Sequence, residues 1–165
     1  MNADHIGTSC FLTLGIPCSL YTYLKRPFNV LHIDMVHITE IRVRYAETDR
    51  MQRVYHGAFV TYLEVARVEC LRSAGWPYKQ MEESGILLPV RSVEMEFHLP
   101  VEYDELVQIE TRVLEPPTAR IRFGYRIMKE GGDVAVTATT DLVFVDAATG
   151  RPRRAPRDLI AALAR

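Results

Sequence analysis

The chain has 165 residues, a net charge of −1 and a pI of about 6.5, the size of one domain with a real core. So even a balance leaves no overall field to draw in nucleic acid or an anionic membrane, and 48% hydrophobic with 25% charged residues is ordinary for a soluble globular protein. Three cysteines, Cys10, Cys18 and Cys70, form neither a C-x-x-C pair nor a zinc-ligand spacing. That suits free thiols in a reducing compartment, and hence a cytoplasmic location without bound metal, better than a disulfide framework.

Residues 6–24 carry no charge. A secretory signal wants positive charge ahead of its apolar run and small residues at a cleavage point; here the lead-in is MNADH and no A-x-A follows. Gly, Pro, Ser and Thr interrupt the run, which poorly serves a stable membrane insertion. The expectation is a poorly structured extension over residues 1–35 and a folded domain over residues 36–165.

Residues 38–44 (ITEIRVR) alternate and predict a strand, followed by a polar loop over residues 45–55. From 57 to about 73 the apolar residues Phe59, Tyr62, Leu63, Ala66 and Cys70 recur at helical spacing, with Glu64, Arg67 and Arg72 mostly off that stripe. Gly75 suits a left-handed helix stop, and residues 77–84 predict a short second helix that Gly85 ends. Four strands follow, over residues 88–98, 106–114, 119–128 and 134–145. The second places Val107, Ile109, Thr111 and Val113 on one face, and the third does the same with Ile121, Phe123, Tyr125 and Ile127. Gly131-Gly132 predicts the hairpin turn between the last two. One sheet face is apolar throughout and one long amphipathic helix is available to cover it, so the predicted class is α+β, an antiparallel curved sheet wrapped around one long central helix. Exposed sheet edges then argue for a homo-oligomer.

The chain has no G-x-S-x-G elbow, P-loop, G-x-G-x-x-G or H-E-x-x-H. What it offers is Asp49 in a loop just before the helix, with Tyr45 upstream and His56 downstream. Free N–H groups at a helix N-terminus stabilise the oxyanion that forms when a carbonyl is attacked. A carboxylate beside them can attack that carbonyl or deprotonate a water. Without a strong acid for the leaving group, the kit fits a thiolate leaving group and thus thioester hydrolysis. The same residues also read as a turn-forming Asp, a solvated His and a packing Tyr.

The run RYAETDRMQRVYHGAFVTYLEVAR, residues 44–67, resembles the signature of the 4-hydroxybenzoyl-CoA thioesterase family, closest to the acyl-CoA thioesterases associated with the Tol–Pal system. It matches through Tyr45, Asp49, Val54-Tyr55-His56-Gly57, Glu64 and Arg67. The likeness continues through Val90-Arg91, Phe97-x-x-Pro100 and Tyr103-Asp104 to Gly150-Arg151-Pro152-Arg153. It implies a hotdog fold, dimers joined edge to edge or a dimer of dimers (a homotetramer), an active site at the dimer interface, and acyl-CoA hydrolysis without a cofactor. On that resemblance Asp49 is nucleophile or general base, the His56 N–H binds the thioester oxygen, and the His56 side chain and Tyr45 shape the site. Tyr55, Gly57, Phe59 and Arg91 would line the substrate; residues 115–120 lack the basic cluster some relatives use for CoA phosphates, so Arg120 and Arg122, or Arg153 and Arg154, read either as stand-ins for it or as solvated charges. The chain departs from the family in its loop, where Gln52 stands in place of a residue free to take positive φ. A hotdog hydratase would carry an asparagine between Asp49 and His56, and none is there; an acyl-CoA-binding scaffold without turnover is the other alternative.

Overall fold

The computed structural model describes residues 33 and 35–164. Apart from Ile33 and Met35, which pack against the core as partly buried side chains, the predicted extension lies outside the described residues. Five strands form one antiparallel sheet: β1 (Val36–Arg42), β3 (Val90–Phe97), β4 (Leu106–Val113), β5 (Arg120–Lys129) and β6 (Val134–Val143), in the order β1-β4-β5-β6-β3. A two-stranded ladder of β2 (Ile86–Leu87) and β7 (Val145–Asp146) stands beside it. The predicted strand over 134–145 is thus two strands broken at Phe144, whose amide donates to Ala119 while its side chain is fully buried.

Side-chain alternation decides the sheet's faces. Val107, Ile109, Thr111 and Val113 of β4 and Ile121, Phe123, Tyr125 and Ile127 of β5 are all buried, as their period predicts. Across them lies α1 (His56–Ser73), packed on β1 and β4. Its buried residues are Phe59, Tyr62, Leu63, Ala66, Arg67, Cys70 and Leu71. Arg67 corrects the sequence reading, which set it off the apolar stripe. Its guanidinium lies under the helix, where Nε donates to the Tyr78 hydroxyl at 3.3 Å and a terminal nitrogen stands 3.7 Å from Glu64. The long aliphatic stem lets a charged residue occupy a core-facing position when its head finds partners.

Gly75, at φ 82°, stops α1 in the left-handed conformation an L side chain resists. The short helix α2 (Tyr78–Glu83) follows. The chain closes with α3 (Arg157–Leu163), which buries Leu159 and Leu163. The hairpin at Gly131-Gly132 joins β5 to β6, with the Gly132 amide on the Lys129 carbonyl at 2.8 Å.

Both outer strands expose apolar side chains, β1 at Val36 and Ile38. β3 carries Val90, Val93 and Phe97 exposed, and Leu99 follows exposed beyond it. On the helix beside it, Val60 and Val65 are also open to solvent. An edge with that much apolar surface is one that proteins ordinarily cover.

Candidate active site

Directly after β1 the chain makes a single 3-10 turn, Tyr45–Glu47, and then a small closed loop. Thr48 pairs with Val54 across the loop neck, and the Asp49 amide donates to the Arg53 carbonyl at 2.8 Å. Inside the loop the Gln52 amide donates to the Asp49 carbonyl at 3.0 Å. Gln52 itself sits at φ 63°, the left-handed conformation that favours glycine. An L residue there costs about 1–2 kcal/mol, offset by the hydrogen bonds that close the loop.

Those bonds also aim the carboxylate. Asp49 Oδ1 accepts the Met51 amide at 2.7 Å and the Arg53 amide at 3.4 Å, an arrangement in which an aspartate caps its own turn. Among the described residues, Oδ2 has no hydrogen-bond partner. One oxygen is fixed by backbone amides and the other is left unpaired among the described residues. Since antiparallel partners lie about 5 Å apart, the Thr48–Val54 pair keeps Asp49 close to the segment that opens α1 two residues later.

At that opening Tyr55 is the N-cap residue and supplies no side-chain cap. Its carbonyl takes the Ala58 amide at 2.8 Å. Among the described residues, the amides of His56 and Gly57 have no protein acceptor, so the helix mouth keeps two free donors. The Tyr55 ring lies beside them: its centroid is 4.2 Å from that of His56, and a Cβ on Gly57 would come within 2.5 Å of Tyr55 Cε1. Glycine at 57 is what allows this close approach. Beneath, Phe59 packs edge-on to Tyr62 at 5.7 Å and reaches the half-exposed Phe97 at 5.6 Å. Tyr45 projects into solvent and meets Tyr103 edge-on, with centroids 5.7 Å apart.

One residue of this region escaped the sequence reading. Glu47 is buried, and its carboxylate is fully engaged. Oε2 accepts the Arg44 amide at 2.8 Å and the Tyr62 hydroxyl at 2.7 Å; Oε1 accepts Arg44 Nε at 2.9 Å and its terminal nitrogen at 2.5 Å. Burial alone would push this carboxyl up, but the bonds from Arg44 and Tyr62 outweigh it and hold the group below the usual carboxylate range. The Tyr62 hydroxyl is driven well above the ordinary phenol range, first by burial and then by the neighbouring Glu47. The three-residue spacing of Arg44 and Glu47 was the available signal, but it does not reveal a partner fifteen residues away on the helix.

The structure brings Asp49, Tyr55, His56, Gly57 and Phe59 together, with Tyr45 at the rim. It does not bring Arg91, Arg120 and Arg122 to them. β1 ends at Arg42, paired with Leu106, whereas Arg120 opens β5 opposite Val143 and Val90, beside Arg91, pairs with Leu142. Arg122 lies about eight residues along the sheet from Arg42, or roughly 26 Å at strand rise. It is also on the outer face, where its Nε is 3.6 Å from Asp141 and a terminal nitrogen 3.7 Å from Glu94. Among the described residues, no group of three or more His, Cys, Asp or Glu is arranged to hold a metal ion.

Comparison with known proteins identifies the family. The thioesterase-like superfamily matches residues 43–163. YneP of Bacillus subtilis is 33% identical over 113 residues, covering 68% of this chain and 82% of its own. The acyl-CoA thioester hydrolase YbgC of Escherichia coli O6:H1 is 27% identical over 121 residues, 73% of this chain and 90% of its own. Among solved structures, the DHNA-CoA thioesterase of Staphylococcus aureus superposes with a TM-score of 0.70 at 37% identity, covering 72% of this chain and 80% of its own. The chain belongs to the thioesterase-like superfamily and has its hotdog fold.

Proposed function

We infer that this protein is an acyl-CoA thioester hydrolase and that Asp49 carries the reaction. The observation that supports this most is the pairing of a carboxylate oriented through one oxygen with a helix mouth whose His56 and Gly57 amides are free. A thioester carbonyl oxygen placed on those amides gains stabilisation as it becomes an oxyanion. Asp49 Oδ2 either adds to the carbonyl carbon or takes a proton from a water that does so. In both routes the C–S bond breaks and the thiolate of coenzyme A departs. In the first, water then hydrolyses the mixed anhydride and restores the carboxylate. Tyr45, Tyr55 and the His56 side chain line the approach, and Phe59 floors it.

The finer assignment we propose is to the 4-hydroxybenzoyl-CoA thioesterase family, near its Tol–Pal-associated branch, on the strength of the run from Arg44 to Arg67. Two β3 edges joined antiparallel would cover the exposed Val90, Val93 and Phe97. They would also bring the Arg91 end of one subunit beside the Phe97 end of its partner. The arginine-rich end of the sheet, remote from Asp49 in its own subunit, then meets the partner's site, where Arg91, Arg120 and Arg122 serve the CoA phosphates. This arrangement, its doubling into a homotetramer and a cytoplasmic location belong to the same reading. No helix among the described residues is long and apolar enough to cross a membrane.

Thiol release from a panel of acyl-CoAs, with wild type beside Asp49→Ala, tests the assignment. Hydrolysis by wild type and its loss in Asp49→Ala, with acyl-CoA binding retained, is the expected result. Binding without turnover in wild type would make the protein a scaffold, and hydration of an enoyl-CoA would make it a hydratase. Single turnover in heavy-oxygen water separates the two routes, because label inside Asp49 marks direct attack.

A further inference from the structure

We propose that Glu47 is a positioning residue for the hydrolysis, fixing the Asp49 loop to the mouth of α1 through its link to Tyr62. The proposal rests on the Asp49 reading and adds to it the residue that sets the separation of carboxylate and oxyanion donors.

Glu47 touches three separate pieces of the site. Its carboxylate grips the residue that leads from β1 into the 3-10 turn, through the Arg44 amide and guanidinium. The same carboxylate holds the second turn of α1 through the Tyr62 hydroxyl at 2.7 Å. Its own carbonyl accepts the Tyr55 amide at 2.8 Å, at the residue that caps the helix. Asp49 is two residues further along the chain. Shifting Glu47 therefore moves the loop relative to the helix, and with it Asp49 relative to the His56 and Gly57 amides. Removing a carboxylate from water is costly, and well-packed apolar residues often serve stability as well as a buried ion pair does. What the carboxylate offers that an apolar side chain cannot is direction, since its four accepted bonds, three from Arg44 and one from Tyr62, tie two neighbours to fixed positions. Placement errors of the order of an ångström at a reacting centre can cost about 100-fold in rate.

Tyr62→Phe is the leading test, because it keeps the buried ring and removes only the hydroxyl. Glu47→Gln is the second, and Tyr125→Phe is the control. Tyr125 also loses a buried hydroxyl bond, the 2.8 Å contact to Thr140, but it does so on β5, away from the loop. Steady-state thiol release and thermal unfolding are measured on all three, with Asp49→Asn alongside. The expected result is a fall in kcat of about 10- to 100-fold for Tyr62→Phe and Glu47→Gln, with KM changed less than threefold. Tyr125→Phe should keep wild-type kcat even if its Tm falls as far as that of Tyr62→Phe. If Tyr62→Phe and Glu47→Gln keep kcat within twofold of wild type while Asp49→Asn is inactive, the positioning role is overturned and the catalytic assignment stands. A loss of kcat in Tyr125→Phe equal to that in Tyr62→Phe overturns it too, because general loosening of the core would then account for both. Full activity in Asp49→Asn removes the catalytic assignment itself, and the positioning role with it.

Discussion

Replacing Gly57 with alanine sets two local effects against each other, and the structure gives the size of each. The new Cβ would stand 2.5 Å from Tyr55 Cε1 and 3.1 Å from Cδ1. Carbon atoms in contact sit about 3.5–4.0 Å apart, so the ring must retreat by about 1 Å. Tyr55 is half exposed, and its ring can swing outward without disturbing the core. The retreat gives up the packing of Tyr55 on His56, worth about 0.5–1.5 kcal/mol. Against that, alanine within a helix gains up to about 1 kcal/mol over glycine. The two nearly cancel, so stability should change by less than about 1 kcal/mol, or a Tm shift of about 2–4 °C. Activity has no such compensation, because the displaced rings flank the His56 and Gly57 amides. The expected loss in kcat/KM is about tenfold or more, equivalent to about 1.4 kcal/mol of transition-state stabilisation. Circular dichroism melting and steady-state thiol release on the same preparations give both numbers. In a Tyr55→Ala background the clash is gone, and there the added methyl should raise Tm. Unchanged kcat/KM in Gly57→Ala, or a Tm drop beyond 10 °C, would refute the reasoning.

Three further outcomes follow from the same structure. Gln52→Gly relieves the φ of 63° but loosens the unfolded chain by about 0.4–1 kcal/mol, so a net gain of up to about 1 kcal/mol in urea unfolding is expected, and a clear loss would mean the Gln52 side chain stabilises the loop. Glu47 is held below its ordinary range in the fold, so its contribution to stability is present above the unfolded carboxyl range and lost as pH falls through the folded value; acid titration of Tm should show a shallower decline in Glu47→Gln than in wild type, and parallel curves would contradict this. Burial pushes the Cys70 thiol up to about 11, so iodoacetamide at pH 8 should leave Cys70 unmodified in the native protein and label it after denaturation, as peptide mass mapping would show.

What could be read from the sequence follows the physics of each element. β4 and β5 are inner strands with one face on the core, so their alternation was legible residue by residue. The stretch 134–145 has small or apolar residues on both faces, and without alternation nothing marked the break at Phe144. A charge does not by itself mark solvent, which is why Arg67 departs from its expected place off the stripe, and the seven residues of α3 carry too little periodicity to reveal a helix. At the site, Asp49, Tyr55 and His56 came from a local motif, which survives in linear order. Glu47 depends on Tyr62, fifteen residues on, and the remoteness of Arg120 and Arg122 depends on strand order. Both are properties of the folded chain.

The left-handed Gln52 has a consequence for motion as well as for energy. Glycine at that point would visit both signs of φ with ease, letting the segment from Asp49 to Arg53 flicker among several shapes. A side chain narrows that repertoire, and the neighbouring amides hold Asp49 Oδ1 in the shape that remains. The protein thus accepts a standing local strain and in return keeps the Asp49 carboxylate on a stiffer mount, with less thermal wandering than a glycine turn would allow.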